Sequence, residues 1–307
     1  CFPYTMAKSA SIPAQCSFLE QGTVCALIKD AYRTGLLKLG VMDPGRFLMR
    51  SFHHEQRLFT GRGSLVSLPL EESGGARVVI KQCLRGGLIR HLSREIFCGG
   101  NRPFEEMRAN RAIIERGIKT AEIIAAVKES LPGPFYRAFI LSLELPGCTD
   151  LTSYFDLLKG RTLEQRFSAK AGVFEEVARA FSAMHRSGIY HRDLHLKNVL
   201  LREGESPPSP EVFIIDFDRA ILKDRLHPGE KLDNLMRFNR SIEKYRVFSG
   251  TVTRGDQMRL CHAYLAENED AARLLPRALK RYRVMTRLRR IKWGFRARIS
   301  GKGSGLR

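Results

Sequence analysis

The 307 residues carry 52 Lys or Arg against 32 Asp or Glu, a formal net charge of +20, and 43% are hydrophobic. That length supports sizeable packed cores, and no apolar run approaches the roughly 20 residues a transmembrane helix needs. The seven cysteines, at 1, 16, 25, 83, 98, 148 and 261, are scattered and form no Cys-x-x-Cys pair, which speaks against a zinc site and for a reducing compartment.

The first 30 residues lack a signal-peptide core. The chain opens on Cys1, and Met6 is a candidate start. Strand-type residues dominate 55–82. Leu58 to Val66 reads as strand, glycine turn, strand, and Gly61 and Gly63 would let backbone N–H groups approach phosphates. Alone, such a turn is usually just a hairpin. Val78-Val79-Ile80 is a short apolar strand ending in Lys81.

The spacing predicts a helix over 103–116, with Pro103 in its first turn and Gly117 as its stop. Glu105 and Glu106 both stand near its start, where the helix dipole favours acids. Adjacent residues do not share a helical face. Glu106 lies on the side of Asn110 and Ile113 and is the favoured partner for Lys81; Glu105 is the alternative. Further strands are expected over 121–145, then a connection at Glu144-Leu145-Pro146-Gly147. Val173, Val177, Phe181 and Met184 mark an amphipathic helix over 168–186, expected to be core.

Two motifs follow, and they carry the chemistry. His191-Arg192-Asp193-Leu194-His195-Leu196-Lys197-Asn198 places an amide five positions after a carboxylate. Ile214-Ile215-Asp216-Phe217-Asp218 places a second carboxylate at the end of an apolar strand. Residues 199–201 and 212–215 read as strands about a turn at 202–210, and an antiparallel hairpin would return Asp216 beside Asn198. This is the pattern of phosphoryl transfer from a nucleotide. One carboxylate, Asp193, would take the proton of the attacking hydroxyl. An amide and a carboxylate, Asn198 and Asp216, would hold Mg²⁺ against the phosphates of the nucleotide, with Asp218 as a further acid nearby.

The charge is uneven. Residues 271–307 hold 13 Lys or Arg and no acid. Leu275, Leu279, Tyr282, Met285, Leu288 and Phe295 recur there at helical steps, with Trp293 near the end. A basic amphipathic segment of this kind is expected to lie on an anionic membrane surface. The alternative is a solvated basic helix docked on the protein.

The chain resembles the bacterial lipopolysaccharide core kinases, the Kdo and heptose kinases, over roughly residues 55–245. The likeness rests on Gly61-Arg62-Gly63, Arg85-Gly86-Gly87-Leu88-Ile89, Arg102 to Glu106, Tyr190 to Asn198 and Asp216-Phe217-Asp218. It rests also on Asn234-Leu235-Met236-Arg237-Phe238-Asn239-Arg240-Ser241. The Arg-Gly-Gly-Leu segment leans to the Kdo branch and Lys81 to the heptose branch.

The resemblance implies an α+β, two-lobed protein-kinase-like fold. Residues 1–50 would be a partly helical N-terminal extension, 51–145 an N-lobe with a small antiparallel sheet, 146–270 a mostly helical C-lobe, and 271–307 the basic segment. It further implies ATP and Mg²⁺ as cofactors, with Gly61, Gly63, Lys81 and Glu106 at the nucleotide phosphates and Glu144 and Leu145 at the adenine. The implied acceptor is an anionic glycolipid, the lipopolysaccharide core, met at the inner face of the bacterial inner membrane; no nucleic acid is expected as a partner.

Departures from protein kinases agree with a sugar acceptor. His195 stands where they carry Lys, Asp218 where they carry Gly, and no Ala-Pro-Glu segment follows Asp216. His195 is either a packed, hydrogen-bonded histidine or a phosphate contact. Arg85, Arg237 and Arg240 are candidate anion binders. Another small-molecule or protein kinase, or a basic nucleic-acid-binding protein on the same scaffold, are the other readings.

Overall fold

The computed structural model describes residues 13–45, 57–59, 65–71, 74–84, 95–203 and 210–276. Gly61, Gly63, Met6, the 85–89 segment and the basic segment from 277 onward lie outside the described residues. The chain divides into two compact units, one ending at Leu145 and the other comprising residues 115–120 and everything from Pro146.

The first unit is built on an antiparallel sheet. Its strands are β1 (Cys16–Gln21), β2 (Val24–Lys29), β3 (Arg57–Phe59), β4 (Leu65–Pro69), β5 (Arg77–Gln82), β6 (Phe97–Cys98), β7 (Ile123–Ser130) and β8 (Phe135–Leu143). Their order is β1-β2-β7-β8-β5-β4-β3, with β6 on β8. The central strands are apolar on both faces: Val24 to Ile28 and Ile124 to Lys128 are buried without a break. A strand can be that apolar only if both faces are covered.

Helix α1 (Arg33–Leu39) covers one face, where Leu36 and Val41 pack on Ile28, Ile80, Ile124 and Leu141. Helix α2 (Arg102–Glu115) covers the other, where Phe104 and Met107 meet Leu27, Ala126, Tyr136 and Ile140. The sheet therefore reaches back into the region that the sequence set apart as an N-terminal extension, because β1 and β2 pair with each other and β2 pairs with β7.

The second unit has a three-stranded sheet, β12-β11-β9, from β9 (Cys148–Asp150), β11 (Val199–Arg202) and β12 (Glu211–Ile214). A two-stranded ribbon joins β10 (Ile189–Tyr190) to β13 (Ile221–Leu222). Its helices are α3 (Leu151–Leu157), α4 (Leu163–Arg186), α5 (Pro228–Ser249) and α6 (Arg254–Ala266).

The helix starts follow local chemistry. Thr162 and Gln165 form a capping box on α4, Thr253 and Asp256 one on α6, and Pro228 occupies the first turn of α5. Aromatic rings fill the core: Phe155 stacks on Phe174 at 5.4 Å and Phe181 meets Phe238 edge-on at 4.8 Å. Lys170 on α4 and Asp256 on α6 form a buried ion pair at 2.6 Å. The linking residues 115–120 dock on this unit, with Arg116 Nη1 donating to the Ser187 carbonyl at 2.8 Å and Lys119 O accepting from Ile214 N–H at 3.0 Å.

Candidate active site

In the first unit the site begins with strand alternation. Val78 and Ile80 are buried on one face of β5, so Lys81 turns to the other. It registers opposite Ile140, which lies on the face that α2 covers. Lys81 Nζ stands 3.6 Å from Glu106 Oε1, and the Glu106 side chain is only 8% exposed. Glu105 is exposed, so the pairing falls on Glu106.

The reason is the helix face. Asn110, four residues on, is buried and closes two bonds with the segment entering β7: Nδ2 to Ala121 O and Oδ1 from Ile123 N–H, each 2.9 Å. That side of α2 is thereby fixed toward the sheet. At the end of this unit, Glu144 N–H donates to Arg77 O at 2.9 Å, and its carboxylate is held by Arg77 at 3.0 Å and by Ser67. An adenine contact from Glu144 would therefore use its carbonyl.

In the second unit the hairpin β11–β12 pairs Val199 with Ile214, and Ile215 N–H donates to the Asn198 carbonyl at 2.9 Å. This bond sets Asp216 one residue past the point where the chain meets Asn198. Asn198 is 6% exposed, and its Nδ2 donates to Asp193 O at 2.9 Å. The amide is thus oriented by the loop that carries Asp193, and its Oδ1 remains the atom suited to a cation.

Asp216 has φ +62°, the left-handed region that non-glycine residues rarely adopt. Asp193 has a 61% exposed side chain, with His195 Nε2 3.6 Å from its Oδ2. Asp218 lies 3.9 Å from Arg219 Nε. Hard oxygen donors of this kind suit Mg²⁺ rather than a transition metal. No group of three or more His, Cys, Asp or Glu gathers for a metal among the described residues.

A dry array of hydrogen bonds supports this loop, and the sequence did not single it out as a unit. His191 is fully buried. Its Nε2–H donates to Ile215 O at 3.0 Å, and its Nδ1 accepts from Asp193 N–H at 3.1 Å. One imidazole therefore ties the residue before Asp216 to Asp193 itself. Phe217 packs on the ring at 4.8 Å between centroids.

Asn234 on α5, also fully buried, brackets the His191 backbone: Oδ1 accepts from its N–H and Nδ2 donates to its carbonyl, both at 3.0 Å. Asn234 Oδ1 further accepts from His185 Nε2–H at 3.3 Å, and His185 Nδ1 accepts from Tyr264 O–H at 2.6 Å. Ser241, two turns along α5, accepts from Leu196 N–H at 3.1 Å.

The partners of His191, a carbonyl and an N–H, fit only a neutral ring with one donor and one acceptor nitrogen. Burial gives the same result, lowering the pKa of His191 and pushing that of His185 down to about 4. Burial also raises the Tyr264 phenol, which stays a donor. Gly188 leads into the loop at φ +71°, where a Cβ would meet Lys223 O at 1.9 Å. The helical spacing of 173, 177, 181 and 184 was the available signal that His185 lies on or beside the buried face.

The second unit also accounts for the candidate anion binders that are described. Arg237 Nη2 is 3.8 Å from Asp233, which accepts from the Tyr190 hydroxyl; Arg240 is partly exposed on the same helix.

Residues 60–264 match the family model of the lipopolysaccharide kinase (Kdo/WaaP) family. A 3-deoxy-D-manno-octulosonic acid kinase of Xylella fastidiosa (strain M23) is 33% identical over 254 residues, covering 80% of this chain and 92% of the relative. One of Vibrio vulnificus (strain YJ016) is 29% identical over 192 residues, covering 61% of this chain and 73% of the relative. A solved structure described as WaaP in complex with acyl carrier protein aligns at a TM-score of 0.48 and 22% identity, over 78% of this chain and 96% of that one. With the family model spanning two thirds of its length and a relative 33% identical over 80% of it, the chain belongs to the Kdo/WaaP lipopolysaccharide kinase family and is a phosphotransferase with a hydroxyl group as acceptor.

Proposed function

We propose that this protein transfers the γ-phosphoryl group of ATP to a hydroxyl of a Kdo sugar on the lipopolysaccharide inner core. The observation that carries the reading is the clustering, on one short hairpin and its loop, of Asp193, Asn198 and Asp216 around the buried His191. The naming of the relatives as 3-deoxy-D-manno-octulosonic acid kinases favours Kdo over heptose.

In this reading Asp193 orients the sugar hydroxyl and takes its proton as the oxygen attacks phosphorus. Its exposed side chain suits a bulky acceptor. Asn198 and Asp216 would hold Mg²⁺, with Asp218 nearby, and the ion when bound offsets negative charge on the phosphates. Lys81, steadied by Glu106, would hold the nucleotide phosphates, together with the turn at Gly61 and Gly63. Glu144 and Leu145 would meet the adenine. The arrangement would be that of a two-lobed kinase, residues 51–145 and 146–270 serving one nucleotide. Positioning and charge stabilisation supply most of the acceleration, with no covalent intermediate.

The acceptor lies in a membrane, and the basic segment 271–307 would hold the enzyme on its anionic inner surface. No helix among the described residues is long and apolar enough to cross a membrane.

Transfer from radiolabelled ATP to Kdo–lipid A, heptosylated core and a generic protein tests the reading. Label in the first acceptor is expected; label in heptosylated core alone moves the protein to the heptose branch. Label only in protein overturns the sugar-kinase reading.

A further inference from the structure

Large apolar side chains that protrude into solvent are few among the described residues, and four of them gather in the second unit. Leu157 ends α3 at 70% exposure, Leu163 and Phe167 stand one turn apart on α4 at 79% and 61%, and Met258 lies on α6 at 68%. Each is more exposed than the two in the first unit, Leu37 at 43% and Phe135 at 46%. Helices α4 and α6 are pinned together beside them by the buried Lys170–Asp256 pair. Arg259 on α6 lies over the Phe167 ring at 4.7 Å, which joins the two helices' contributions into one face.

The rim of this face is basic along residues 157–170, and around Met258 the acids Glu175 and Glu267 stand among Arg179 and Arg259. Lys159, Arg161 and Arg166 interleave with Leu157, Leu163 and Phe167, and Glu164 is the only acid from 157 to 170. The neighbouring Asp156 is already engaged by Lys159 at 2.6 Å and by Tyr245 at 2.8 Å.

We infer that this face docks on an anionic phospholipid bilayer. Leu157, Leu163 and Phe167 project around the short connection between α3 and α4, so they suit insertion between headgroups, while Met258 lines a neighbouring cleft with Arg179 and Arg259. The long basic stems can lie along the interface with their charges at the phosphates. A second copy is a poor occupant, because a two-fold contact sets the same basic rim against itself.

The inference deepens the membrane partner proposed above, and rests on that reading for its purpose. It uses described side chains and not the C-terminal basic segment. Vesicle binding is read without phosphoryl transfer, so either reading can fail alone.

The test uses the full chain with phosphatidylcholine vesicles containing increasing phosphatidylglycerol. The Leu163→Ser/Phe167→Ser double variant is expected to lose at least tenfold in partitioning. Arg161→Gln/Arg166→Gln is expected to lose about twenty-fivefold, at roughly fivefold per charge. Circular dichroism and transfer to a soluble, delipidated Kdo oligosaccharide should stay at wild-type levels in both. A positive probe is Leu163→Trp in a Trp293→Phe background, whose emission should shift to the blue on anionic vesicles.

Partitioning unchanged within twofold in the apolar variant overturns the inference and leaves the face to an acidic protein partner. Equal binding to pure phosphatidylcholine, or no spectral shift, also overturns it. So does a dimer in analytical ultracentrifugation that the apolar variant abolishes.

Discussion

Lys81 sits on a strand whose place is set by backbone pairing with β4 and β8 on either side, and its ammonium stands in a partly buried ion pair with Glu106. Asp193 sits on a loop with no such ladder. It is held by a buried imidazole, which is itself bracketed by one asparagine and extended through His185 to Tyr264. A strand inherits position from the sheet. A loop must obtain it from side chains that bond to its backbone, and in a dry interior each of those bonds costs far more to break than to omit. The two regions should therefore respond differently to substitution.

The largest effect is expected at Asp216, where function and backbone comfort conflict. Replacing it by Gly relieves the left-handed φ and should raise stability by about 1 kcal/mol. The same change should lower turnover about a thousandfold or more. Thermal melts and single-turnover rates on one preparation read both.

Asn234→Ala strips the bracket from His191 and leaves buried groups unpaired, at about 3 kcal/mol by denaturant unfolding. Turnover should fall with it. A cost below about 1 kcal/mol would show that the loop is held by other means.

The imidazoles add a pH signature. Their folded pKa values lie below the ordinary 6.5, that of His185 at about 4. Below pH 6.5 the unfolded chain binds protons that the folded chain refuses, so stability falls as pH falls from about 6.5 toward 4 and is fully present above that window. Each histidine contributes a slope of up to about 1.4 kcal/mol per pH unit. Melting profiles between pH 7 and 5 should show this slope, and His185→Gln should reduce it by one histidine's share.

Glu106→Gln marks the small end. The pair is partly buried, and exchanging the carboxylate for an isosteric amide should cost the fold about 1 kcal/mol. It should raise the apparent KM for ATP about tenfold, while Glu105→Gln changes neither. Equal effects at 105 and 106 would remove the geometric distinction between them.

Much of this was legible in the sequence, for physical reasons. The hairpin that returns Asp216 to Asn198 is local, and its apolar runs and proline-rich turn are contiguous. The choice of Glu106 over Glu105 follows from helical facing, and its distance to Lys81 agrees. The strands at 16–29 were not legible, because a short apolar run such as Val24 to Ile28 has no periodicity to distinguish a buried strand from a buried helix. Nor was the array behind His191, since His185 and Tyr264 are 79 residues apart and nothing local pairs them. Asn234 entered only as part of a resemblance; its physical role is visible once α5 is seen to lie under the loop.

The central claim is that Asp193 serves as the base for a sugar hydroxyl. Its most direct test is single-turnover transfer from ATP to Kdo–lipid A by Asp193→Asn, with ATP binding measured by calorimetry on the same sample. The expected result is a rate lower by roughly a hundredfold to ten-thousandfold, the range of a general base, with ATP affinity within about threefold of wild type. Transfer at the wild-type rate with ATP binding intact would contradict the assignment.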